Sequence, residues 1–92
     1  MRVKVPNRAF SKNKELRSLL FESFPDSDIN VDDKRYEKFE LVNFLSGAEA
    51  AIIGLELIDI NLLEQLPQLK IIAKYGVGLD NVDLDACKKR GI

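Results

Sequence analysis

Apolar residues in this chain of 92 residues alternate between two spacings, and the alternation repeats four times along the sequence. Apolar residues at every second position, or in short continuous runs, are typical of strands, whereas three- and four-residue spacing is typical of amphipathic helices. The predicted strands contain, in chain order, Val3 and Val5, Ile29 and Val31, Ala50 to Ile53, and Lys70 to Tyr75. Four strand–helix units predict an α/β fold: a doubly wound parallel sheet with right-handed crossovers and helices on its faces.

Four helices are predicted from the same pattern and from the residues that begin and end helices. The first ends before Pro25, because the residue before a proline avoids the α region. Asp83 is a good N-cap for the last helix, and Gly91 suits the left-handed position after it. The predicted helices run from Ser11 or Asn13 to Phe24, from Lys34 to Leu45, from Asp59 or Asn61 to Pro67, and from Leu84 to Arg90.

The last residues of the sequence indicate a further strand. Lys88, Lys89 and Arg90 complement the dipole at the end of the last helix. Gly91 ends that helix, and Ile92 has the character of the first residue of a fifth strand. Because a natural domain rarely stops one residue into an element, we expect the chain to be the front portion of a longer protein, truncated before that strand.

Charge and composition exclude several classes of function. There are 14 Lys and Arg against 15 Asp and Glu, a net charge of −1, so no basic surface favours nucleic acid or an anionic membrane. The longest apolar run, Ala50 to Leu55, is far shorter than the roughly 20 residues that span a bilayer. One cysteine cannot form an internal disulfide, which indicates a reduced, cytoplasmic protein. Without histidine, the chain is expected to have no His-dependent catalytic residue and no metal site.

One segment, AKYGVGLDNVD from Ala73 to Asp83, combines a predicted strand with a pair of glycines. Ligands of parallel α/β sheets bind beyond the carboxyl ends of the strands. Gly76 and Gly78 can adopt positive φ, and successive N–H groups around Val77 and Gly78 could then point at an anion such as a carboxylate. Spacing alone leaves a second interpretation, a plain tight turn whose backbone is satisfied by Asp80 and Asn81.

The glycine pair differs from the dinucleotide-binding fingerprint. That fingerprint needs a third glycine three positions after the second, where a helix opens. Asn81 stands there, and the next helix begins only near Asp83. We therefore expect this loop to bind no dinucleotide, and no residue of the chain to bind NAD.

The run from Leu69 to Ile92, LKIIAKYGVGLDNVDLDACKKRGI, closely resembles D-isomer-specific 2-hydroxyacid dehydrogenases, the family that includes phosphoglycerate dehydrogenase. The preceding EAAIIGLELIDINLLEQLPQ also resembles that family, with an apolar strand, a glycine-containing loop and a helix that ends at a proline. The likeness covers roughly the last half of the chain and is only architectural over the first half.

The resemblance implies a flavodoxin-like substrate (catalytic) domain, into which the family inserts a separate Rossmann domain that binds NAD. The full-length parent would be an NAD-dependent oxidoreductase acting on the CH–OH group of a small D-2-hydroxy acid or the matching 2-oxo acid. It further implies that the N–H groups of Val77 and Gly78 hold the substrate carboxylate. The implied substrate-binding residues are Lys74, Tyr75, Gly76, Val77 and Gly78.

In the family, the dinucleotide fingerprint and the catalytic Arg, Glu and His lie downstream of the segment that these residues match. The arginines of this chain match no catalytic position; they are Arg2, Arg8, Arg17, Arg35 and Arg90. The 92-residue chain alone is therefore expected to be inactive and to bind no cofactor.

Two residues bear on the substrate. Phosphoglycerate dehydrogenases often carry an arginine in the loop after the third strand, whereas this chain has Glu56 there, which repels a phosphate unless it is paired. Lys74 stands where some relatives have arginine, and it either supplies a cation near the loop or is a solvated lysine at the strand end. An ammonium lacks the bidentate fork of arginine, so its grip on an anion is looser.

A different class of function remains open, that of a stand-alone flavodoxin-like binding or interaction module without catalysis. If the family's strand order 2-1-3-4-5 holds, the strand from Lys70 to Tyr75 is an unpaired edge. Such an edge favours pairing with another chain. We therefore expect a homodimer or higher oligomer for the isolated chain.

Overall fold

A computed structural model describes all 92 residues as a four-stranded parallel sheet with helices on both faces. The strand order is β2-β1-β3-β4. The strands are β1 (Val3–Val5), β2 (Asp28–Ile29), β3 (Ala50–Ile53) and β4 (Ile71–Lys74). The helices are α1 (Arg8–Lys12), α2 (Lys14–Ser23), α3 (Lys38–Leu45), α4 (Ile60–Glu64) and α5 (Leu84–Lys89). The predicted α/β fold, a flavodoxin-like doubly wound parallel sheet, is confirmed.

Two apolar cores lie on opposite faces of the sheet. Side chains alternate between faces along a strand, so β3 contributes Ala50 to one core and Ala51 and Ile53 to the other. The smaller core also contains residues of β1, β2, α1 and α2, namely Val3, Val5, Ile29, Phe10 and Leu20. The larger core takes half of its 12 buried residues from α3, α4 and α5, namely Leu41, Leu45, Leu62, Leu63, Ala86 and Cys87. No helix is both long enough and apolar enough to cross a membrane.

The single helix predicted after the first strand is two helices. The side chain of Asn7 accepts a hydrogen bond from the N–H of Phe10 at 2.7 Å and begins α1. Asn13 accepts from the N–H of Leu16 at 3.1 Å and begins α2. The predicted N-cap at Asn13 is correct for α2, and the prediction missed α1 because it assigned no cap to Asn7.

The helix predicted from Lys34 begins later, at Lys38. Asn30 is buried, and its side chain bonds both the N–H and the carbonyl of Lys34, at 3.0 and 2.7 Å. These bonds hold the chain in a loop. A capping box then starts α3, in which Glu37 and Glu40 each bond the backbone of the other. The prediction that Val31 belongs to the second strand is also wrong, because β2 ends at Ile29 and Val31 is 76% exposed.

The other predicted boundaries are close to those observed. Asp59 is the N-cap of α4, which ends at Glu64, three residues before Pro67. Strand β4 is shorter than the predicted Lys70 to Tyr75 by one residue at each end. Asp83 is the N-cap of α5, and Gly91 has a φ of +73°, as predicted.

Candidate functional site

The loop after β4 carries the predicted glycine pair in the conformation that the sequence suggested. Gly76 has a φ of +132° and Gly78 a φ of +85°. A Cβ built on either glycine would meet no atom within 4 Å, and the Val77 side chain is fully exposed. Backbone strain rather than crowding therefore selects glycine here, and the space beside the loop is open to a ligand.

The N–H groups of this loop are not used in backbone hydrogen bonds. Tyr75 N–H donates to the carbonyl of Ile53 at 2.7 Å, and Val82 N–H donates to the carbonyl of Leu79 at 3.0 Å. Between them, the N–H groups of residues 76–81 donate to no backbone carbonyl of the chain. Successive N–H groups of a loop with positive-φ residues are the kind of backbone from which anion-binding nests are built.

The segment that follows β3, residues 54–58, lies beside the glycine loop and is bonded to it. Asn81 donates from its side-chain amide to the carbonyls of Gly54 at 2.8 Å and Glu56 at 2.7 Å. Its own carbonyl accepts the N–H of Ile58 at 2.8 Å, and Ile58 pairs with Val82 in a short parallel bridge. The two loops at the carboxyl ends of β3 and β4 therefore form one connected surface.

The backbone N–H and the backbone carbonyl of Gly54 both form hydrogen bonds with side chains. Its N–H donates to Glu56 Oε1 at 2.6 Å, and its carbonyl accepts from the Lys74 ammonium and from Asn81. The Glu56 carboxylate thus turns back onto its own loop. The Lys74 ammonium donates to the Gly54 carbonyl, and the residue remains partly exposed at the strand end.

The five predicted site residues lie together at the end of β4. Tyr75 is 39% exposed, and its ring meets that of Phe10 edge-on, with centroids 5.6 Å apart. Lys74 lies one residue before it, and Gly76, Val77 and Gly78 form the exposed loop after it. The sequence pattern predicts Asn81 only as a turn residue and gives Gly54 no role in the site. Their contact joins residues 27 apart in sequence, and no local pattern predicts it.

A cleft of about 400 Å³ lies on the β1 side of Gly54. Its polar lining includes Asn7, Arg8, Lys34, Arg35 and Glu56. Two of its cations are already paired, Arg8 with Asp33 and Lys34 with Glu40, whereas Arg35 makes no ion pair. Hydrogen bonds from Arg8 and then Lys12 lower the pKa of Asp33 to about 2. The cleft is therefore a mixed-charge surface with one free guanidinium.

The glycine loop does not fit a dinucleotide. Asn81 occupies the place of the third fingerprint glycine, and its side chain is bound to the neighbouring loop. Helix α5 begins six residues after Gly78, so its N-terminus does not directly follow the glycine pair. The loop therefore lacks the helix terminus on which a pyrophosphate rests.

Comparison with known proteins identifies the family. The family model of the catalytic domain of D-isomer specific 2-hydroxyacid dehydrogenases matches residues 9–92. The chain belongs to this family. The match includes the glycine loop and extends through most of the first half of the chain, where the sequence alone indicated only architectural similarity.

Individual 2-hydroxyacid dehydrogenases support the assignment. Glyoxylate reductase from Thermococcus litoralis is 35% identical over 74 residues, which are 79% of this chain and 22% of that protein. D-3-phosphoglycerate dehydrogenase from Mycobacterium leprae is 54% identical over 35 residues, 38% of this chain and 7% of that protein. The crystal structure of a D-isomer specific 2-hydroxyacid dehydrogenase, named as NAD-binding, from Polaromonas superposes with a TM-score of 0.89 at 26% identity, covering 99% of this chain and 28% of that one. The chain thus spans less than a third of the length of these relatives.

Proposed function

We propose that this chain is the substrate-binding part of an NAD-dependent 2-hydroxyacid dehydrogenase, and that the N–H groups of Val77 and Gly78 hold the substrate carboxylate. The observation that carries the proposal is the run of unpaired N–H groups at residues 76–81, beside two positive-φ glycines at the carboxyl edge of the sheet. Lys74 and Tyr75 complete the site by fixing where the loop leaves the strand. The substrate is a small 2-hydroxy or 2-oxo acid.

In this proposal the chain positions the substrate and does not carry out the chemical step. Holding the carboxylate fixes the direction in which C2 of the acid faces, and such orientation contributes a large part of a rate enhancement. A nicotinamide, when bound to the full-length protein, supplies or accepts the hydride. The family resemblance implies a histidine as the acid–base group, and these 92 residues contain none, so that group would come from another part of the full-length protein.

The cofactor site is also proposed to lie outside this chain. The Polaromonas relative is named as NAD-binding. The glycine loop here does not fit a dinucleotide, so a separate part of the full-length protein would bind NAD. The 92-residue chain alone is then inactive and binds no cofactor. A reducing compartment, the cytoplasm, suits a protein whose one cysteine is buried and unpaired.

The test compares two alanine substitutions in the full-length protein. Gly78→Ala and Gly91→Ala both place a side chain at a positive φ, +85° and +73°, with open space around it. Each should lower the free energy of unfolding by about 1–2 kcal/mol. Only Gly78→Ala should raise KM for the 2-oxo acid, by about tenfold, because it displaces a charge-assisted hydrogen bond. KM for NADH should change in neither variant.

The measurement is NADH oxidation with a panel of 2-oxo acids. Equal KM values for wild type and Gly78→Ala would overturn the carboxylate site. The absence of turnover with every 2-oxo acid tested would overturn the dehydrogenase assignment itself. The purified 92-residue chain serves as the negative sample, and turnover by it would contradict the proposal that catalysis needs the rest of the protein.

A further inference from the structure

Asn81 joins the two loops of the candidate site. Both N–H groups of its side-chain amide are used, one on the Gly54 carbonyl at 2.8 Å and one on the Glu56 carbonyl at 2.7 Å. Its backbone carbonyl accepts a hydrogen bond from the N–H of Ile58, so the side chain and the main chain of Asn81 both bond the same neighbouring loop. The residue is half-buried and lies three positions after Gly78.

We propose that Asn81 is a positioning residue that aims the N–H groups of the glycine loop at the substrate carboxylate, an inference that rests on the proposed function. The loop contains two glycines whose φ angles are intrinsically free. Its N–H groups from residue 76 to residue 81 form no backbone hydrogen bonds that would fix their direction. The contacts that fix this direction lie toward the two ends of the loop.

The contacts at each end of the loop show where that control comes from. At the start, Tyr75 N–H bonds Ile53 and fixes the strand end. At the far end, the amide of Asn81 bonds the segment that follows β3, where Gly54 is buried. The Lys74 ammonium and the Asn81 amide both donate to the Gly54 carbonyl. The residues at the two ends of the loop are therefore bonded to the same group. Loss of the Asn81 amide removes its two side-chain hydrogen bonds to the neighbouring loop and leaves only the backbone bond to Ile58.

A purely structural role and a positioning role have different signatures. If Asn81 only stabilises the fold, its removal lowers the free energy of unfolding and affects all substrates alike. If it aims the N–H groups, its removal weakens binding of a charged carboxylate more than binding of a neutral group of the same shape. Hydrogen bonds to a charged acceptor are roughly twice as strong as neutral ones and depend strongly on geometry.

The test uses the full-length protein with Asn81→Ala and the matched control Asn61→Ala. Asn61 is exposed on α4, and its side chain bonds only Gln65. The readout is the ratio of kcat/KM for the preferred 2-oxo acid to kcat/KM for the neutral amide of the same acid. We expect Asn81→Ala to reduce this ratio about tenfold, the loss of roughly one charge-assisted hydrogen bond. Asn61→Ala should leave the ratio unchanged.

A second variant protects the test against loss of folding. Asn81→Leu keeps about the same side-chain volume without adding a charge, and it has no N–H to donate to either carbonyl. It should reduce the same ratio at least as much as Asn81→Ala does, with KM for NADH unchanged. A ratio equal to that of wild type in the folded variants would overturn the positioning role. A wild-type protein that shows no preference for the acid over its amide would instead overturn the proposed carboxylate site.

Discussion

Asn7 fills the space beside the α-carbon of Gly54. A Cβ built on Gly54 would lie 1.9 Å from Asn7 Nδ2 and 2.9 Å from its Cγ, closer than any real side chain tolerates. Asn7 is only 8% exposed, and its Oδ1 caps α1 through the N–H of Phe10. The carboxyl ends of β1 and β3 thus meet through one side chain that fits only because residue 54 has none.

Gly54→Ala should lower the free energy of unfolding of the chain by about 1–3 kcal/mol, the usual cost of forcing a methyl group into packed structure. In an Asn7→Ala background the added cost should fall to about 0.5 kcal/mol, because the next atom, the Tyr75 carbonyl oxygen, lies 3.5 Å away in ordinary contact. The four proteins of this double-mutant cycle can be compared by urea unfolding. Equal costs in the two backgrounds would contradict the contact.

Local signals in the sequence predicted much of this fold. The continuous run Ala50 to Ile53 is a buried strand, as predicted. Helix α5 begins after the Asp83 cap and ends before Gly91, where the sequence placed them. In each case the decisive interaction joins residues close in sequence, such as the Asp83 side chain and the N–H of Ala86. The glycine pair of the site was identified for the same reason, since positive φ is a property of the residue itself.

Contacts between distant residues explain what the sequence could not predict. The loop that delays α3 is held by Asn30, which also donates to the carbonyl of Pro6, 24 residues away. The Asn81 anchor depends on carbonyls 25 and 27 residues away. A polar side chain in a turn has many local partners open to it, so its sequence position does not reveal which distant carbonyl it binds. The site residues were therefore predicted without the side chain that connects their loops.

Asp33 should make the stability of the chain depend on pH at the acid end. Its carboxylate receives two hydrogen bonds from Arg8, at 2.7 and 3.2 Å, and one from Lys12 at 2.9 Å, which lower its pKa to about 2. An acid whose pKa is depressed in the folded state stabilises that state above its unfolded pKa of about 3.9 and loses the contribution as pH falls toward 2. We therefore expect part of the loss of stability between about pH 4 and pH 2 to disappear in Asp33→Asn.

Asparagine suits this test because it tolerates the positive φ of +53° at residue 33. The measurement is the free energy of unfolding by urea between pH 7 and pH 2, together with a carboxyl NMR titration of Asp33. Asp26→Asn is the control, since Asp26 is exposed and makes no ion pair. The same acid slope in wild type and Asp33→Asn would exclude this cluster as its source.

Cys87 should react slowly with thiol reagents while the chain is folded. Its side chain belongs to the larger core and is 6% exposed. Burial, and then the charge of Asp83, raise the pKa of the thiol, so little of the reactive thiolate is present at neutral pH. We expect reaction with a disulfide reagent to be at least about tenfold slower than in urea. Ser18→Cys in a Cys87→Ala background provides an exposed thiol for comparison, and similar rates for the two thiols would contradict the burial of Cys87.

The outer edge of β4 should pair with a second copy of the chain. Ile71 N–H donates to the carbonyl of Glu49, just before β3, and Tyr75 N–H donates to that of Ile53. Because N–H groups alternate in direction along a strand, those of Ile72 and Lys74 face away from the sheet. An open edge of this kind templates pairing with another strand, and a charge placed on it prevents pairing. Light scattering of the isolated chain should give about twice its 10.4 kDa mass. Ile71→Lys should give a monomer, whereas Leu19→Lys, which adds the same charge on exposed α2, should not; a monomeric wild-type chain at every concentration would contradict the edge pairing.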